Sequence, residues 1–140
     1  MGETVGSFVR SYSVGAATVI HAGDCLNKLA GERIERECRR QLDSGCRGFV
    51  INFADTELVN SIGISILLGI IDVAGKNGAR VIFSNLNNHT IQLLEILGLT
   101  RHVTLANDEQ EALFRLSAFA SQIDVTNHSS PSSWKPRREN

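Results

Sequence analysis

The chain has almost no excess of either charge: 14 Lys and Arg nearly balance 15 Asp and Glu over 140 residues, for a net charge of −1. A protein that grips nucleic acid or an anionic membrane surface needs a basic stripe, and none is present, so neither partner is expected. Cysteine is scarce as well. Cys25, Cys38 and Cys46 are odd in number and show no CxxC spacing, which fits free thiols in a reducing cytosol better than a disulfide framework. The longest apolar run, Ile62 to Ala74, includes Asp72 and is too short to cross a bilayer, so no membrane insertion is expected. The N-terminus lacks a basic stretch followed by an apolar one, so no secretory leader is expected and the compartment expected is the cytoplasm. Met1-Gly2 resembles a myristoylation start, but Gly6 stands where Ser or Thr is required. The glycosylation sequons at Asn88-His89-Thr90 and Asn127-His128-Ser129 therefore read as chance matches.

Motifs of common enzymes are missing too. Neither GxGxxG nor GxxxxGK(S/T) occurs, which leaves both usual kinds of nucleotide-binding enzyme unsupported. His21, His89, His102 and His128 are scattered, with no HExxH and no Cys/His pairing, so no metal and no cofactor is expected. Ser61 lies between Val59 and Gly63 rather than in the GxSxG elbow of a hydrolase. Asp24, Asp55, Glu57 and Asp72 read more simply as loop and cap residues than as a catalytic pair. The expectation is a protein that is not an enzyme.

What is present is an alternation of strand and helix patterns. Phe8 to Tyr12 and Val14 to His21 predict two strands around a turn at Ser13 to Gly15. A helix is predicted over Asn27 to Asp43, because Leu26, Ala30, Ile34, Cys38 and Leu42 recur every four residues. Its other faces carry charge, with Glu32–Arg36 and Glu35–Arg39 at supportive spacing, and read as a solvated surface. Gly48 to Phe53 predicts a buried strand, Ser61 to Lys76 an unusually apolar helix, and Ala79 to Ser84 another buried strand. Asn87 or Asn88 caps a short helix through Leu97, and Val103 to Leu105 predicts a last strand. Asn107 is the expected cap of the final helix, with Gln110 in the capping-box position and Ala112, Leu113, Leu116, Ala120 and Ile123 facing inward. The order is β-β-α-β-α-β-α-β-α: an α/β fold with a mostly parallel mixed sheet whose first strand is antiparallel to the rest. One domain over residues 5–123 is expected, followed by a polar, disordered tail over 124–140 in which Trp134 is the only large apolar residue after Val125.

The most informative stretch is Val59-Asn60-Ser61-Ile62-Gly63, between the buried strand and the apolar helix. A hydroxyl there lies at the carboxyl end of the sheet and beside a helix N-terminus, where unpaired N–H groups and the helix dipole favour an anion. Asn and Ser are also preferred N-caps. Two readings of Ser61 therefore stand, a phosphate acceptor and a cap.

The order of elements and several local sequences resemble the STAS domain family, named for sulfate transporters and anti-sigma factor antagonists. The resemblance rests on Phe49-Val50-Ile51-Asn52-Phe53 with Val59-Asn60-Ser61-Ile62-Gly63, on Gly75-Lys76-Asn77-Gly78, on Ile91 to Leu99, and on Asp108 to Leu113. In the bacterial antagonists the central stretch commonly reads Asp-Ser-Ser-Gly, and its first serine, which matches Ser61, is phosphorylated by the partner anti-sigma factor. Here Asn60 replaces the Asp, Ile62 the second Ser, and Leu26 stands where an Asp is common.

The resemblance implies a protein-interaction module: an antagonist that binds an anti-sigma factor of the serine-kinase type and so frees a sigma factor, switched by phosphorylation of Ser61. The expected contact surface comprises Asn60, Ser61, Ile62, Ile64, Ser65 and, in the loop after Ala22, Asp24. The alternatives are a STAS subunit docked on the ATPase of a membrane lipid-transport complex, and a STAS domain that binds a small molecule.

Overall fold

The computed structural model describes residues 8–129, with side chains through Phe119. β1 (Arg10–Val14) and β2 (Ala17–His21) form a hairpin in which Val14 pairs with Ala17. The two-residue turn falls at Gly15-Ala16 because Gly15 supplies the positive φ, 59°, that a tight hairpin requires. β3 (Cys25–Leu26) leads into α1 (Lys28–Asp43), whose N-cap is Asn27, accepting from Ala30 N at 2.9 Å. β4 (Gly48–Asn52) and β5 (Leu58–Val59) precede α2 (Ser61–Lys76). β6 (Arg80–Ser84), α3 (Asn88–Ile96, capped by Asn87), a short 3-10 turn at Thr100–His102, β7 (Thr104–Ala106) and α4 (Glu109–Ser129) complete the described chain.

Five strands make one sheet in the order β1-β2-β4-β6-β7, with β1 antiparallel and the others parallel. Alternation along the strands sends side chains to two cores. Ile20, Phe49, Ile51, Val81 and Phe83 face α1, α2 and α3, meeting Ile34, Leu67, Ile70 and Leu94. Val19, Val50, Ile82 and Ala106 face α4, meeting Ala112 and Leu116. Each large side chain taken fully inside contributes roughly 1.5–3 kcal/mol, so the first and larger core dominates the fold. The α1 stripe from Leu26 to Leu42 is buried at all five positions.

Val14, expected to open the second strand after a turn at Ser13 to Gly15, instead closes β1, and four further details differ from the expectation. Glu32 pairs with Lys28 at 3.2 Å, the partner one turn towards the N-terminus, rather than with Arg36; Glu35–Arg39 forms at 3.3 Å as read. The cap of α4 is Asp108, not Asn107: Asp108 Oδ1 accepts from Glu111 N at 2.8 Å. Glu111, rather than Gln110, reaches back past the cap and accepts from Asn107 N, also at 2.8 Å. α4 also runs through Ser129, six residues past Ile123, since extending a formed helix by a residue costs far less than starting one. Residues 130–140, where the rest of the expected tail falls, lie outside the described residues, as do residues 1–7.

Candidate functional site

The stretch around Ser61 is built by two short strands that carry no periodic signal. β3 and β5 pair in parallel, Cys25 with Leu58 and Leu26 with Val59, beside the carboxyl end of the main sheet. Asn60 N donates to Leu26 O at 3.0 Å, and Glu57 N to Asp24 O at 2.9 Å. Thr56 is buried and its hydroxyl donates to Gly23 O at 2.6 Å. The loop ahead of α2 is thus stitched to the loop after β2. Gly63 permits this closeness. A Cβ there would stand 2.7 Å from Leu26 O, inside any real contact distance.

Asn60 is the N-cap of α2. Its side chain accepts from Gly63 N at 2.9 Å, and its carbonyl from Ile64 N at 3.2 Å. Ser61 is the first helical residue, exposed, and among the described residues nothing hydrogen-bonds to its hydroxyl. The cap role falls to its neighbour. With Asn60 supplying the cap, the Ser61 oxygen is free for chemistry at the positive end of a 16-residue helix.

Ile62 is 55% exposed and Ser65, one turn on, is exposed, as are Asn60 and Asp24. Ile64 does not belong to this surface. It is 2% exposed and packs in the core, because the helical turn that points Ile62 outward points Ile64 at the sheet. Two other large apolar residues are exposed nearby in the fold. Leu58, 67% exposed on β5, and Leu29, 56% exposed in the first turn of α1, lie at the same end of the fold. Large apolar side chains left in water at one end of a fold make that end a candidate contact surface. Leu29 breaks the charge pattern of the outer α1 face, and that break was the available signal.

The acidic residues are dispersed. Asp55 pairs with Arg10 at 3.9 Å and Asp72 with Lys76 at 3.1 Å. Among the described residues no group of three or more His, Cys, Asp or Glu is placed to hold a metal ion, and no described helix is long and apolar enough to cross a membrane. The cysteines are free; burial pushes the Cys38 thiol up to about 12, which leaves it protonated and inert. At the opposite end of the sheet, beside α4, a groove of about 630 Å³ is lined by Val14, Ala17, Gly48, Leu113, Leu116 and Phe119. Arg47 at its rim is engaged with the Leu42 and Cys46 carbonyls. It is remote from Ser61.

The model of the STAS domain matches residues 12–112. No curated protein sequence matches the chain. Among solved structures, the unphosphorylated form of the anti-sigma factor antagonist SpoIIAA, a Bacillus protein, is 21% identical with a TM-score of 0.67, over 79% of this chain and 96% of that one. The TM1081 protein, a putative anti-sigma factor antagonist of Thermotoga maritima, is 14% identical with a TM-score of 0.71, over 84% and 94%. An RsbS variant of Moorella thermoacetica is 20% identical with a TM-score of 0.69, over 81% and 97%. Likeness at these identities establishes the fold, not the partner. Together with the family match over most of its length, it makes this chain a member of the STAS domain family.

Proposed function

We propose that the chain is an anti-sigma factor antagonist that binds an anti-sigma factor of the serine-kinase type through the surface around Ser61, and that phosphorylation of Ser61 releases it. The observation that carries this reading is Ser61 itself: an exposed hydroxyl, free because Asn60 caps the helix, at the same end of the fold as exposed Leu29, Leu58 and Ile62. A phosphoryl group adds about −1.5 to −2 charges. The helix N-terminus accommodates that charge in the free domain. In a complex the same charge sits in an apolar contact and must be desolvated, which is costly. One modification therefore acts on binding and spares the fold. The structural neighbours, several of which are anti-sigma factor antagonists, support the reading.

Co-purification from the native host tests it. A retained anti-sigma factor with serine-kinase activity, lost from the Ser61→Asp variant and labelling Ser61 in the presence of ATP, is the expected result. Recovery of a transporter ATPase instead, or label on Ser65 with Ser61 unmodified, overturns it.

A further inference from the structure

The last residues of the central parallel strands form a polar row on the α4 face. His21, Asn52 and Ser84 stand side by side in register, and all three are buried. Buried polar groups cost free energy unless they are hydrogen-bonded; of this row Asn52 bonds to a carboxylate oxygen, whereas Ser84 Oγ has no partner among the described residues. Glu109, the first residue of α4, places Oε1 2.8 Å from the Tyr12 hydroxyl, 3.1 Å from Asn52 Nδ2 and 3.7 Å from His21 Nε2. The Tyr12 hydroxyl also lies 3.1 Å from His21 Nε2. A phenol has one proton, and the carboxylate is its stronger acceptor. His21 Nε2 therefore carries the ring hydrogen and donates to the Tyr12 oxygen. Nδ1 is left bare, and it is buried without a partner among the described residues.

Asn52 connects this cluster to the other side of the fold. Its Nδ2 donates to Glu109 and its Oδ1 accepts from Ala54 N at 2.7 Å. Ala54 opens the loop that ends at Asn60 and Ser61. The next residue, Asp55, is tied back to Arg10 on β1. A continuous hydrogen-bonded path thus runs from a buried imidazole to the loop ahead of α2.

We propose that His21 is a proton-sensitive positioning residue for the loop that presents Ser61, acting through Glu109 and Asn52. Protonation puts a hydrogen on both ring nitrogens. The imidazolium then attracts Glu109 Oε1, the atom that Asn52 holds, while Nδ1–H becomes a buried donor with no acceptor. Asn52 loses its carboxylate partner, and with it the orientation that offers Oδ1 to Ala54. The charged groups facing His21 come from three elements. Glu109 on α4 and Asp55 in the loop favour the charged ring, and Arg10 on β1 opposes it. Tyr12, its pKa raised first by burial and then by Glu109, stays a neutral phenol. Burial outweighs the carboxylates and holds the imidazole below its ordinary value of 6.5, so the device works on the acid side of neutrality. The loop's part in partner binding rests on the function proposed above; the proton link is a property of the isolated domain.

An NMR titration of the isolated protein tests the link. The His21 ring should titrate with a midpoint below 6.5, and the Ala54 and Asp55 amides should shift with that same midpoint. In His21→Gln, which keeps a donor towards Tyr12 without a titrating charge, those amides should lose the transition. In Glu109→Gln the ring should still titrate, at lower pH, while the Ala54 response shrinks severalfold. An Ala54 amide that stays still through the His21 midpoint, or a transition that persists in His21→Gln, overturns the proposal. Glu109→Gln retains the ring, so the link is read even where His21→Gln fails to fold. Failure here leaves the Ser61 reading standing, and parent-like partner binding by Ser61→Asp leaves this link standing.

Discussion

α1 and α2 are equal in length at 16 residues, follow successive strands of one parallel sheet and lie against each other, yet they present opposite surfaces to solvent. Beyond Leu29, the outer face of α1 is a lattice of ions: Lys28–Glu32 at 3.2 Å, Glu35–Arg39 at 3.3 Å and Glu37–Arg40 at 2.8 Å. The outer face of α2 begins with Ser61 and Ile62, continues through Ser65 and Gly69, and reaches an ion pair, Asp72–Lys76, in the second half. Exposed pairs of this kind contribute little to stability, about 0–1 kcal/mol each. Their use is to keep a helix face solvated and single. The first turns of α2 lack those ion pairs, and this difference between two otherwise similar crossovers falls on the surface proposed above as the contact.

Substitutions can break the contrast. The largest effect should come from Ser61→Asp, which places an unpaired charge in the proposed contact and should weaken binding by at least about 100-fold, a cost of several kcal/mol. Its thermal stability should change little, since a carboxylate near a helix N-terminus gains about 0.3–1 kcal/mol from the dipole. The matched change on the other helix, Arg36→Glu, should leave affinity within about twofold. Calorimetric titration against the captured anti-sigma factor reads both, and equal effects would erase the distinction between the two faces.

Gly63→Ala comes next. The new methyl group meets Leu26 O and Leu26 Cγ at 2.7 and 2.9 Å, and forcing them apart should cost about 1–3 kcal/mol in denaturant unfolding. A parent-like midpoint would mean that β3 and α2 separate freely. Below that, Asn60→Ala should lose about 0.5–2 kcal/mol of cap stabilisation, while Ser61→Ala stays within about 0.5 kcal/mol, because only Asn60 bonds the helix end. Thermal melts that ranked the pair the other way would return the cap to Ser61. The smallest effect is a gain. Gly69→Ala, with nothing within 4 Å of the new Cβ, should stabilise the free domain by about 0.5–1 kcal/mol.

The bounds of α2 were legible because Asn60 and Asn77-Gly78 punctuate it and no competing signal lies between. The mostly parallel sheet with its antiparallel first strand followed from the alternation of strands and helices. β3 and β5 were not legible, since two residues each leave no period to detect and only their pairing defines them. Ile64 was read as surface for a related reason. A helix apolar on most sides has no phase in sequence, so which Ile meets the sheet is decided by packing. At α4, Asn107 and Asp108 are both good caps, and nothing in the local sequence chooses between them. The polar row beneath α4 joins residues from three distant segments, a relation invisible to any local window.

Tyr12 on the first strand holds Glu109 at the start of the last helix across 97 residues of sequence. A chain made from its N-terminus at about 5–20 residues per second keeps that tyrosine waiting roughly 5–20 s before its partner exists. Until then β1, an edge strand of the sheet, is without that hydrogen bond. During synthesis, this contact cannot close before the last helix has begun.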